Sequence, residues 1–124
     1  MKMLFISQPM RGKTDEEILA VRAQAIQSAE RVLGEEVKVI DSFFKGAAVP
    51  PTVLSRPLWF LGKSLKLLSG AEVAYFADGW EDARGCRIEH DCAVEYGITT
   101  IEDHRRSEKK VGRRTDELKH GTGG

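Results

Sequence analysis

Glu89 is the side chain whose position most demands a chemical explanation. On a helix spanning 86–96, at about 100° per residue, it falls among Ile88, Cys92, Ala93 and Tyr96, inside the apolar stripe. A carboxylate there is costly unless it is paired or used. It stands about one turn from the helix start, where the positive end of the helix favours the ionised form, which suits a nucleophile better than a proton donor. The same placement fits a carboxylate that caps neighbouring backbone or pairs with Arg84 or Arg11. Two further segments carry reactive or ligand-binding side chains. Ser7, Gln8, Met10, Arg11 and Gly12 lie in a segment running to Lys13, whose backbone N–H groups can meet an anion where a strand passes into a helix. Arg11 adds a fork matched to phosphate or carboxylate, and Met10 suits a pocket wall. The second segment, Asp78 to Gly85, holds Asp78, Trp80, Asp82 and Arg84.

The elements that must position these residues alternate between two periodicities. Residues 2–7 form a short apolar run with a buried-strand pattern, ended by Ser-Gln-Pro. Thr14 followed by Glu17 is a capping box, and Ile18, Val21, Ala25, Ile26, Ala29, Val32 and Leu33 repeat at helical spacing up to Gly34. Residues 36–41 predict a second strand, and 42–56 are irregular, with Gly46, Pro50 and Pro51 as breakers. Pro57 suits a first helical turn, after which Leu58, Leu61, Leu65 and Leu68 make a stripe ending at Gly70. Residues 71–77 predict a third strand, 86–96 a helix closed by Gly97, and 98–101 a fourth strand. Strand and helix alternate without a hairpin signal, so the strands are parallel and the crossovers right-handed. The expected architecture is an α/β three-layer sandwich, flavodoxin-like or Rossmann-like, with a four- to five-stranded parallel sheet in an order beginning 2-1-3-4. In that order the chain reverses direction between strands 1 and 3, and ligands bind beyond the carboxyl ends at such a switch point. The loops there are Ser7–Lys13 and Asp78–Gly85, the same two segments singled out above.

The chain's 124 residues carry 19 Lys+Arg and 19 Asp+Glu, a size and balance that suit one domain and argue against a dedicated nucleic-acid binder. The charges are unevenly spread: 104–124 hold seven bases against three acids and only two aliphatics, Val111 and Leu118. We expect a domain over 1–103 and a basic C-terminal helix or flexible tail over 104–124. No apolar run is long enough to cross a bilayer, and Gln8 and Pro9 come too early for a signal-peptide core. Cys86 and Cys92, six apart, form neither a CxxC pair nor a metal knuckle, so a reduced, cytoplasmic setting without metal or cofactor is expected.

Gly85, Glu89, Ala93 and Gly97, preceded by the acidic-aromatic loop 79–84, resemble the pattern of the nucleoside 2-deoxyribosyltransferase-like superfamily. There, Gly-x-x-x-Glu-x-x-x-Ala-x-x-x-Gly carries the catalytic glutamate. The longer string 79–89 is similar to that of a small phage and bacterial branch. The opening Phe5-Ile6-Ser7-Gln8-Pro9-Met10-Arg11-Gly12 is similar both to that branch and to the Ser-x-Arg-Gly loop of deoxynucleoside-monophosphate N-glycosidases. The resemblance covers roughly 2–101. It implies N-glycosidic cleavage or base exchange on a (deoxy)nucleoside or nucleoside 5′-monophosphate, Glu89 as nucleophile, Asp78 or Asp82 as proton donor, and a homo-oligomer. It also implies substrate contacts from Ser7, Gln8, Met10, Arg11, Gly12, Trp80, Arg84 and Gly85. Trp80 either stacks on a base or covers the crevice or a subunit contact. The loop at 7–13 either holds a phosphate or sugar hydroxyl or merely connects. Two positions depart from the family: Ser64 stands where members usually carry an Asp, and Ala83 where a serine is common.

A non-catalytic nucleotide-binding sensor or accessory module on the same fold is the main rival. A phosphate-binding P-loop is a poorer one: Gly12-Lys13-Thr14 matches its end, but Ser7 replaces its first glycine and Pro9 removes an amide. Trp59 and Phe60 are expected in the core or at an interface, and His90 on the polar surface of its helix.

Overall fold

The computed structural model describes residues 1–44 and 46–103. Four strands, β1 (Lys2–Ser7), β2 (Val37–Val39), β3 (Val73–Phe76) and β4 (Thr99–Glu102), alternate with α1 (Asp15–Leu33), α2 (Arg56–Leu68) and α3 (Arg84–Glu95). The sheet is wholly parallel in the order β2-β1-β3-β4, with Leu4 opposite Val73 and Ser7 opposite Phe76 at the centre. This is the flavodoxin-like or Rossmann-like sandwich expected from the alternation. The expected basic segment 104–124 lies outside the described residues.

Side-chain alternation along the buried strands divides the core in two. Leu4, Ile6, Val73, Tyr75 and Ala77 meet Ala25 and Ala29 of α1. Phe5, Ala74 and Phe76 meet Leu68 of α2 and Cys86 and Ala93 of α3 on the other face. Alanine at 25, 29 and 93, each at most 1% exposed, lets helix backbone approach the sheet closely.

The helix signals do what their chemistry requires. Thr14 accepts from Glu17 N while Glu17 accepts from Thr14 N, and Gly34 closes α1 in the left-handed conformation at φ 73°. Ser55 caps α2, with Pro57 in its first turn. The second strand is shorter than expected because its ladder ends where Ile40 N reaches Leu4 O; Asp41 then accepts from Phe43 N and turns the chain. The leucine stripe of α2 is only half core. Leu68 is buried, Leu61 lines an open cleft, and Leu58 is 64% exposed and lines no part of that cleft. Tyr96, expected in the stripe of the last helix, is its exposed C-cap, the helix ending one residue earlier.

Candidate active site

A cleft of about 480 Å³ opens beyond the carboxyl ends of β1 and β3. Glu89 lies at its base, 8% exposed. Ser7, the last residue of β1, donates its hydroxyl to Glu89 Oε1 at 2.5 Å. Ser64 of α2 lines the same cleft, and its hydroxyl favours the ionised form of the same carboxyl. Three elements therefore meet at one carboxylate: α3 carries it, β1 holds it through the Ser7 hydroxyl, and α2 brings Ser64 to the same cleft.

Burial pushes the Glu89 carboxyl above its ordinary range, while the Ser7 and Ser64 hydrogen bonds pull the other way. This corrects the expectation that the helix end would govern its charge. α3 begins at Arg84, so Glu89 is past the first turn, where the dipole is strongest, and desolvation dominates. Cys86 also lines the cleft, in hydrogen-bonding reach of Ser7; burial pushes its thiol up to about 11, so it is no thiolate nucleophile at neutral pH.

The rest of the cleft is chiefly apolar. Phe43, Phe44 and Phe60 wall it, with Phe44 and Phe60 near-parallel at a centroid separation of 6.2 Å, and Pro9, Met10 and Leu61 complete the lining. Flat apolar walls with a few hydroxyls suit a small heterocyclic or sugar-bearing molecule. Phe60 is thus a wall residue rather than core. Phe43 and Phe44 were missed because they sit in an irregular segment without periodicity; the adjacent aromatic pair was the only signal. Buried Arg22 secures that segment, donating to Ser42 Oγ at 3.2 Å, while Ser42 donates to Ile6 O. An arginine among the helical spacings of α1 gave no hint of this.

The expected site residues divide among four places. Ser7, Gln8, Met10 and Gly85 line the cleft with Glu89. Arg11, Asp78, Asp82 and Arg84 line a wider groove that adjoins it and shares Pro9, Met10 and Gly85. Gly12 lines neither and serves the turn into α1 at φ 76°. Trp80 departs most: its ring is packed against Phe76 and stacks on His90 at 4.4 Å, within the core on the α3 side, and lines neither space. It is not placed to stack on a ligand. His90, expected on the surface, is half-buried instead, with Nε2 2.8 Å from Glu102 Oε2. Gln8 donates its amide to Ile18 O, which anchors the first loop to α1.

Fold and site together define a Rossmann-like α/β protein with a buried, hydroxyl-held glutamate at its topological switch point. No protein family, no curated protein and no solved structure matches the chain. Among the described residues, no group of His, Cys, Asp and Glu could hold a metal ion, and no helix is long and apolar enough to cross a membrane.

Proposed function

We propose that the chain cleaves or exchanges the N-glycosidic bond of a (deoxy)nucleoside or nucleoside 5′-monophosphate, with Glu89 as nucleophile. The observation that carries this reading is Glu89 itself, buried, held by Ser7, and facing the cleft that Ser64 also lines. Aromatic walls suit a base, and the hydroxyls suit a sugar. As the bond from C1 to the base breaks, its electron pair leaves with the base and positive charge builds on the sugar. A carboxylate beneath C1 stabilises that charge and closes on it as an ester. Water or a second base then displaces Glu89 with net retention. The departing base takes up a proton as it leaves. Besides Glu89, Asp15 is the carboxyl that lines the cleft among the described residues, and it replaces Asp78 and Asp82 as the candidate donor.

The test is release of free base from a panel of nucleosides and 5′-monophosphates, with and without acceptor base, read by chromatography. Glu89→Gln should lower turnover about 10²–10³-fold or more, since one well-aimed electrostatic contact contributes on that scale. A variant as fast as the parent would remove Glu89 from the mechanism. The second reading, a nucleotide-binding module, is favoured by the neutral Ser64 against Glu89 and by the carboxyl's raised proton affinity. Saturable binding of the same ligands with no base released from any of them would select it. The proposal includes a homo-oligomer, and light scattering that gives a monomer at every concentration would remove that part.

A further inference from the structure

The groove beside the cleft has a charge pattern that the chemistry at Glu89 does not use. It encloses about 840 Å³ and is bordered by Arg11 and Lys13 from the loop after β1 and by Arg84 and Arg87 from α3. Asp78 and Asp82 also border it, leaving cations in excess. Arg87 is held in place by donating to Glu81 O at 2.9 Å. The groove runs into the cleft along Pro9, Met10, Pro57, Ala83 and Gly85, which line both.

α3 enters this groove in an unusual way. Its first turn has no acidic residue and its N-cap, Ala83, makes no side-chain cap, whereas α1 carries Asp15, Glu16 and Glu17 in its first turn and a full capping box. Arg84 and Arg87 instead place positive charge at the positive end of the helix, an unfavourable choice within the chain alone. Gly85 weakens the same turn, and a Cβ there would meet nothing within 4 Å, so packing within the chain does not require a glycine.

We infer that this groove takes a chain of two or more phosphoryl groups, carried by a nucleoside whose sugar and base occupy the cleft. The inference rests on the N-glycosidic reading only for that nucleoside. Four cations from two separate segments bordering one groove fit a ligand charged along its length better than a single phosphate. Gly85 leaves such a ligand room to approach the amides of α3.

The full chain is titrated with orthophosphate, pyrophosphate and tripolyphosphate at constant ionic strength, and binding is read by calorimetry. Pyrophosphate and tripolyphosphate should bind at least about tenfold more tightly than orthophosphate, and Arg11→Gln and Arg84→Gln should each weaken them by about tenfold. A Lys109→Gln, Lys110→Gln double variant, in the basic sequence after Asp103, should bind as the parent does. Equal affinities for the three anions, no binding, or loss through Lys109 and Lys110 rather than Arg84 would overturn the inference. Base release then separates the two readings. Cleavage with a KM no lower for nucleoside diphosphates than for nucleosides overturns the groove's role and spares Glu89. Pyrophosphate binding without release of base from any ligand overturns the N-glycosidic reading and spares the groove.

Discussion

At the scale of single residues, Glu89 connects proton affinity to both activity and stability. In the proposed reaction Glu89 must be ionised, so kcat/KM should fall as pH drops through a value above the ordinary carboxylate range, because burial favours the protonated form. Ser7 stabilises the charged form by donating to it. Ser7→Ala should therefore move that acid limb to higher pH, and a pH–rate profile that stays in place would show that the hydroxyl does not tune the carboxyl. Linkage gives the stability side its sign. With the folded-state affinity for protons raised, Glu89 is protonated in both states and costs nothing below the ordinary carboxylate pKa of about 4.3, and it destabilises the fold as pH rises past that value. Glu89→Gln should thus melt higher than the parent at neutral pH, with the difference vanishing near pH 4. Melting curves from pH 4 to 7.5 check this, and a variant that is less stable throughout would contradict it.

At the scale of elements, local chemistry and packing have separate jobs. The Thr14–Glu17 box sets where α1 begins, just past the loop that ends at the cleft. Thr14→Ala should lower unfolding free energy by about 1 kcal/mol, read from the denaturant midpoint at unchanged slope. The start of α1 was legible because a capping box is a contiguous four-residue signal. The end of β2 was not, since it depends on Ile40 bonding to Leu4 across the sheet. The amino half of α2 also misled: leucines at helical spacing predict a buried face, but here part of that face borders a cavity.

At the scale of the whole molecule, stability resides in the two apolar layers on either side of the sheet, while the cleft lies at its edge. Phe76, fully buried against α3, should cost about 3–5 kcal/mol when truncated to alanine. Leu58→Ala, at a position 64% exposed, should stay within about 0.5 kcal/mol. Chemical denaturation of both variants tests the contrast, and a large loss at Leu58 would mean that this end of α2 is covered in solution.

Periodicity and contiguous turn chemistry were enough to determine the alternating elements and the parallel sheet; the order 2-1-3-4 came with the expected fold class, and the structure has it. Spacing along one helix also singled out Glu89, since an acid inside an apolar stripe is visible without coordinates. Which side chains surround that acid was decided only by tertiary packing. Ser7, Ser64 and Phe44 come from three separate segments of the chain, and no local pattern records their meeting. The same reason explains Trp80. Its loop lies at the mouth of the sheet, but its ring packs on His90 and Phe76 in the core. Local signals come from neighbours in sequence, whereas side-chain orientation is settled by competition among neighbours in space.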